Sequence, residues 1–346
     1  MNALLLAGGL GTRLRPLTET IPKPMAPIAN RPWLEHLIVQ LKQQGIQDIV
    51  IAVKQYREKI SSHFGNGRKW GVNIRYTVEH TLLGTAGAIK NAEPYLDDRF
   101  VVFNADIVHD ANLAPLIRFH EGHGGCVTIG LTEVEDPSHY GVVEQDEQGR
   151  ILRFVEKPKK EEAPSRLINA GIYVMEKKAL TYIPAGREVS IERETFPLLI
   201  REKAGVYGMP VSGFWMDMGT RDRYRAIHWE ILNRKTNIPI PGREASDGVW
   251  LGPNCRIGKG VTLVPPVLIG DRVTIGDRSH IGPYSVIGSD CRIGSNVRCS
   301  ETILWDGCVV HDDVQLHQCV LGYGLEIGSR HIMHQAVMNR LGVMNA

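Results

Sequence analysis

The residues best suited to chemistry begin almost at the amino terminus. In LLLAGGLGTRLRPLTETIPKP an apolar run leads into a glycine-rich loop, where Gly8, Gly9 and Gly11 let backbone N–H groups come close to an anion. Leu6 closes the apolar run, Thr12 and Arg13 follow the glycines, and Lys23 stands between Pro22 and Pro24, whose rings stiffen its approach. Two better known phosphate loops do not fit. A P-loop needs Gly-Lys followed by Ser or Thr after four residues, and no such tripeptide is present; a dinucleotide fingerprint needs a third glycine where Leu14 stands. What remains is a glycine loop with its own cations, a cradle for a polyanion.

The elements that must hold such a loop follow from periodicity. DIVIAV (Asp48 to Val53), NIRYTV (Asn73 to Val78) and RFVVFN (Arg99 to Asn104) are short apolar runs bounded by turn residues and predict strands. In RPWLEHLIVQLKQQG, Trp33, Leu34, Leu37, Ile38 and Leu41 form one helical stripe, with Pro32 suited to the first turn and Gly45 to the position past the end. Strands alternating with helices predict an α/β domain with a mainly parallel sheet, whose ligands bind beyond the carboxyl ends of the strands. Residues 236–248, TNIPIPGREASDG, read as a linker. From Leu251 to Trp305 ten positions then recur every six residues, most followed by glycine, which predicts a parallel β-helix with Ser279 and Ser285 also turned to its core. The pattern resembles that of known hexapeptide-repeat proteins, which implies about three repeats per turn, so that nine steps amount to three turns. After Trp305 the spacing slips, as a capping turn or a loop would make it, and the apolar ILWDGCVV reads as a tail that covers the end of the coil in part.

At 346 residues the chain has room for two domains, and a net charge of +2 argues against broad electrostatic binding to nucleic acid or a membrane surface. Its first apolar run spans only Ala3 to Ala7, too short for a signal peptide or a spanning helix, so a cytoplasmic protein is expected. Six cysteines without a C-x-x-C pair predict reduced, packed thiols.

From Gly8 to Pro24 the chain meets the pattern G-G-x-G-T-R-L-x-P-x-T-x-x-x-P-K-P at each defined position, and SHYGVVE, RFVEKP, INAGIYV, SIERETFP and GFWMDMG follow. On these motifs it resembles the sugar-1-phosphate nucleotidylyltransferases, nearest to those acting on mannose 1-phosphate with GTP. The resemblance implies a Rossmann-like catalytic domain over 1–235, a left-handed β-helix over 249–332 and a tail over 333–346. It implies Arg13 on the departing β- and γ-phosphates, Lys23 between the α-phosphate and the sugar phosphate, and Mg2+ held by Asp106 and Asp217. Leu6, Gly8, Gly9, Gly11, Thr12, Glu79, Gly84 and Thr85 would line the nucleotide, and Gly141, Glu156, Lys157 and Asn169 the sugar phosphate, with Gly141 letting the backbone approach the sugar ring. The partners implied are a nucleoside triphosphate, a sugar 1-phosphate and further copies of the chain, joined through the β-helix.

The chemistry is in-line attack of a phosphate oxygen on the α-phosphorus. A phosphate monoester has a second pKa of about 6, so the nucleophile is already ionised and needs no general base. At the base, a carboxylate at Glu79 matches the two adjacent N–H donors of guanine better than an amide would. Leu82 stands where the family often has proline. Asp110 reads as preceding a helix, Asp222 as lying in a helix's first turn, and the pairs His120/His123 and His331/His334 as surface residues. The competing readings are glucose-1-phosphate thymidylyl-, uridylyl- or adenylyltransferase, a bifunctional enzyme with an acyltransferase β-helix, and a non-catalytic regulatory subunit. The last would be expected to lose loop or metal residues, and Arg13, Lys23, Asp106 and Asp217 are all present.

Overall fold

Runs that are apolar at every position suit strands buried on both faces. Asn2–Leu6, apolar at every position after Asn2, is such a strand and lies parallel between Asp48–Val53 and Arg99–Asn104, with Asn73–Val78 parallel beyond Asp48–Val53. The computed structural model that shows this describes residues 1–9, 11–340 and 342–344, the last three by their backbone; Leu341, Asn345 and Ala346 of the tail segment 333–346 lie outside the described residues. The chain forms two compact units: Met1–Leu10 with Leu37–Asp217, and Gly11–His36 with Met218–Ala346.

In the first unit the sheet is parallel through Arg99–Asn104 and mixed beyond it, where all pairings are antiparallel except that of Val206–Pro210, which runs parallel to Val127–Glu133. Leu167–Glu176 runs antiparallel to Arg99–Asn104, Val127–Glu133 and Gly141–Gln145, and Ile151–Glu156 closes a hairpin on Gly141–Gln145 around Gly149 (φ 79°). Helix Gly84–Ala92 shares a core with the sheet through Ala86, Ile89 and Ala92, and Leu4, Val50 and Val102 belong to the same cluster. The predicted stripe of helix Trp33–Gln43 is buried at all five positions.

The second unit contains the β-helix, whose three sides are three parallel sheets. Val249–Leu251, Val267–Ile269, Ser285–Ile287, Ile303–Leu304, Val320–Leu321 and Val337–Asn339 stack on one side; sheets of five strands each, beginning at Arg256–Ile257 and Thr262–Leu263, form the other two. The hexad residues Ile269 to Trp305 are buried, as are Ser279 and Ser285. Three expectations need correction. The slip in spacing after Trp305 is neither a capping turn nor a loop, and the coil runs on through it. Val267 pairs with Ser285, 18 residues on, whereas Val286 pairs with Ile303, 17 on, because one corner is a residue shorter, and the 17-residue step then continues to Val337. ILWDGCVV is therefore an interior coil and not a covering tail. At the amino-terminal end the pattern fails to bury its residue: Ile257 is 41% exposed, since only the Val249–Leu251 edge is covered, by the antiparallel strand Arg243–Ser246 from the stretch read as a linker.

Candidate active site

At two of the three loop glycines, Gly8 and Gly11, a side chain would be crowded. Leu6 ends the central strand in register with Ala52 and Asn104. At Gly8 a Cβ would fall 2.8 Å from Glu79 Oε1, and Gly9 is open on all sides. The division between the units falls inside the signature, after Leu10, and again directly after Asp217. In the second unit Gly11 adopts φ 60°, a Cβ there would lie 3.0 Å from Lys23 Cβ, and Thr18 Oγ1 donates to the Gly11 carbonyl at 2.7 Å. Lys23 is buried, while Thr12 and Arg13 are exposed on a single turn of 3-10 helix, Thr12–Leu14. A cation taken from water in this way acts on phosphate with little screening.

In the first unit the two aspartates stand at the same end of a small ribbon. Ile107–His109 pairs antiparallel with Trp215–Asp217, and Asp217 stands opposite Ile107, which puts Asp106 one position away. Tyr140 Oη donates to Asp217 Oδ2 at 3.0 Å, and its ring meets Trp215 edge-on at 5.5 Å. His109 of the same ribbon stacks on Phe103, and burial pushes its pKa down to about 4, so it adds no charge at neutral pH. Asp110 is structural: Oδ1 accepts from Phe214 N at 2.6 Å and fills the place where a Gly213 Cβ would stand. Among the described residues no group of three or more His, Cys, Asp and Glu side chains is gathered for a metal. Two neighbouring carboxylates, with water and phosphate completing the shell, are the donor set that a hard divalent cation accepts.

The predicted sugar residues lie on the antiparallel half. Glu156 stands opposite Gly141 in the hairpin, and Lys157 Nζ lies 3.6 Å from Glu156 Oε1. Burial first, then the charge of Glu192, raises the Glu156 pKa, against the pull of Lys157. Gly141 is glycine for a different reason than expected: a Cβ would lie 2.4 Å from Phe154 Cζ and 3.0 Å from Glu156 Oε2, so the space is filled by the protein itself. Asn169 is also engaged, accepting from Gly171 N at 2.8 Å and donating to Tyr173 Oη at 2.9 Å, which fastens the bulge in its strand and leaves one N–H and one lone pair.

Around the base loop, Glu79 is buried and its Oε2 accepts from Leu83 N at 3.3 Å. Burial raises its pKa, opposed by that hydrogen bond and by Lys54. Gly84 (φ 68°) opens the following helix where a Cβ would strike the Val189 carbonyl at 2.6 Å. Thr85 is tied into the SIERETFP segment: its hydroxyl donates to Glu192 Oε2 at 2.9 Å and accepts from Ile191 N at 2.8 Å.

Sequence reasoning passed over Tyr140, Asn104 and Glu192. Tyr140 lies inside the quoted motif SHYGVVE and Glu192 inside SIERETFP, so both were within reach; Asn104, whose buried Oδ1 has no partner among the described residues, shows itself only through the register that sets it beside Leu6. The expectation of surface histidines fails at His120, which is buried with Nδ1 2.8 Å from Thr128 Oγ1 and Nε2 3.1 Å from Glu176 Oε1. His123, half-buried, stacks on Tyr207 with ring centroids 3.8 Å apart. Asp222, 85% exposed, pairs with Arg225 in its own helix. All six cysteines are free thiols.

Comparison with known proteins gives the class of this strand–glycine-loop domain, that of enzymes which transfer nucleotidyl groups. The chain belongs to the nucleotidyl transferase family, whose model matches residues 2–234, and a model described as the EIF2B subunit epsilon LbH domain, a left-handed β-helix, matches residues 246–344. It is 38% identical over 286 residues to a UTP–glucose-1-phosphate uridylyltransferase of Synechocystis, covering 78% of this chain and 74% of the relative. It is 36% identical over 278 residues to a mannose-1-phosphate guanylyltransferase of Mycobacterium tuberculosis, covering 77% of each, and 39% identical over 273 residues to a mannose-1-phosphate guanyltransferase of Pichia angusta, covering 75% and 74%. A crystal structure from Bacillus anthracis, described as a glucose-1-phosphate thymidylyltransferase in complex with a sucrose, superposes with a TM-score of 0.62 at 27% identity, over 69% of this chain and 97% of that one. Members of the family generally use a divalent metal. Among the described residues no helix is long and apolar enough to cross a membrane.

Proposed function

We propose that the protein transfers a guanylyl group from GTP to mannose 1-phosphate, forming GDP-mannose and pyrophosphate. The observation that supports this reading is the complete signature from Gly8 to Pro24 in one chain with a ribbon in which Asp217 stands opposite Ile107, the neighbour of Asp106. A mannose-1-phosphate oxygen bonds to the α-phosphorus as the bond to the β-phosphate bridging oxygen breaks, and the electron pair leaves with pyrophosphate. Two polyanions must be crowded together, so the protein's contribution is cations and geometry. Arg13 neutralises the departing phosphates. Lys23, buried among the loop's own residues, spreads charge over the α-phosphate and the incoming phosphate. Asp106 and Asp217 would hold Mg2+, which when bound offsets triphosphate charge and polarises the phosphoryl oxygens. Tyr140 fixes the orientation of Asp217. Glu156 accepts from sugar hydroxyls, Lys157 pairs with the sugar phosphate, and Glu79 accepts from guanine N1–H and N2–H.

Uridylyl transfer to glucose 1-phosphate is the second reading, favoured by the name of the Synechocystis relative and disfavoured by the carboxylate at Glu79. We further place the catalytic domain at 1–235, the linker and β-helix after it, a homo-oligomer contact after residue 249, and the protein in the cytoplasm, where six free thiols stay reduced. Pyrophosphate release over a grid of GTP, UTP, dTTP and ATP against mannose and glucose 1-phosphates tests the substrate assignment. The largest kcat/KM is expected with GTP and mannose 1-phosphate; a maximum with UTP and glucose 1-phosphate would select the second reading.

A further inference from the structure

The three sides of the β-helix are not alike. On two of them the residues between the inward hexad positions are Arg256, Thr274, Arg292, Val309 and Glu326, or Thr262, His280, Arg298, Gln315 and Ile332, and all but Val309 are exposed. On the third they are Trp250, Leu268, Val286, Ile303, Val320 and Val337, all buried at 5% exposure or less. What meets this side, within the same compact unit, is helix Arg221–Leu232 together with the segment Gly11–His36 that carries Arg13 and Lys23. Tyr224 joins the three parts: its Oη donates to the carbonyl of Pro27, four residues past Lys23, and accepts from Trp305 Nε1 of the coil at 3.0 Å. Asn339, on the last long strand of the same side, donates through Nδ2 to the carbonyl of Pro16, three residues past Arg13. Asn30 Nδ2 donates to the Ile287 carbonyl at 2.8 Å. Proline carbonyls suit this purpose, since proline restrains its own φ and the carbonyl is the one polar backbone handle left.

We propose that the β-helix is a positioning element of the catalytic site: Trp305, through Tyr224, and Asn339 fix the backbone on which Lys23 and Arg13 are mounted. The inference rests on the reading that these two cations act on the substrate phosphates. A coil that holds a phosphate-binding lysine in place makes transfer depend on residues almost 300 positions away in the chain, and a small displacement of a charged group at a phosphoryl centre lowers turnover by one to two orders of magnitude.

The test uses the full-length protein with Tyr224→Phe, Trp305→Phe and Asn339→Ala, each alone and each combined with Lys23→Ala or Arg13→Ala. Steady-state kcat and KM for both substrates are measured beside thermal unfolding. The expected result is a 10- to 100-fold lower kcat for Tyr224→Phe with KM for mannose 1-phosphate within about twofold, a smaller loss for Trp305→Phe, and no further loss when Tyr224→Phe is added to Lys23→Ala. Asn339→Ala should likewise add nothing to Arg13→Ala. If all three single variants keep kcat within twofold while Lys23→Ala does not, the inference is overturned and the catalytic reading stands. If Tyr224→Phe multiplies the loss of Lys23→Ala, the coil serves stability alone and the inference is again overturned. Wild-type protein inert toward every triphosphate and sugar phosphate would instead remove the catalytic reading on which it rests.

Discussion

Glu79→Gln isolates base recognition because the structure separates the two oxygens of this carboxylate. Oε2 accepts from Leu83 N at 3.3 Å and closes the base loop, a bond that a glutamine carbonyl oxygen can keep; Oε1 points toward Gly8. The substitution therefore preserves shape and the loop contact while replacing one acceptor with an N–H. If that acceptor meets guanine, a charge-assisted hydrogen bond is lost and two donors face each other, a cost of about 2–3 kcal/mol, or roughly 30- to 150-fold in kcat/KM for GTP. Use of UTP should be unchanged or better. The charge itself provides a second readout. Burial raises the Glu79 pKa, so as pH falls GTP use by the wild type should decline at a higher pH than an ordinary glutamate would cause, and the glutamine variant should lose that acid limb. Its thermal stability should not fall, since a neutral amide removes the cost of a buried charge. The assay is kcat/KM for GTP and UTP between pH 4.5 and 8 (on the order of the range in which such a carboxyl titrates). An equal loss with both triphosphates would refute the reasoning and leave Glu79 as a loop fastener.

Asp106→Asn and Asp217→Asn should each lower turnover by about two orders of magnitude or more in the presence of magnesium, and near-normal rates in either would remove that residue from the metal site. Gly141→Ala should destabilise the protein by about 1–3 kcal/mol in denaturant unfolding, because Phe154 Cζ already stands 2.4 Å from the new methyl; an unchanged midpoint would mean the ring can move aside. His109 and His228 are both held near pKa 4 by burial, so the folded state resists their protonation while the unfolded chain does not. Their contribution is complete above about pH 6.5 and is lost as pH falls toward 4, up to about 3 kcal/mol each, and Tm should drop across that interval. Full-length protein should sediment as more than one 38.5 kDa chain at micromolar concentration, and a monomer would contradict assembly through the β-helix.

Much of this architecture is legible before any coordinates. Asp48–Val53, Asn73–Val78 and Arg99–Asn104 are strands over the predicted residues because each run is apolar enough to be buried in a sheet and is bounded by turn formers. The hexad was readable because the coil repeats one local environment. What escaped the period was its shortening by a single corner residue, which leaves the stacking intact while shifting every later position. A second signal was present but easy to miss: WL, LI, VI, IL and VL on one side are pairs of apolar residues, whereas RI, TI and HI on the others alternate, and only a side covered by other protein needs such pairs. The motifs of the sequence offer candidate site residues and a role for each. They do not state a role that depends on a neighbour's oxygen, as with Tyr140 on Asp217, Thr85 on Glu192 or Asn169 across its own bulge. Gly141 carried the right residue for a reason that only the position of Phe154 reveals.

The central claim is that mannose 1-phosphate is joined to the guanylyl group through one of its own phosphate oxygens. Mannose 1-phosphate labelled with oxygen-18 in its non-bridging phosphate positions, incubated with GTP, Mg2+ and the full-length protein, tests it by mass spectrometry of both products. GDP-mannose carrying all of the label and pyrophosphate carrying none is the expected result. Recovery of the labelled sugar phosphate unchanged while GTP is consumed, or label in the pyrophosphate, would contradict it.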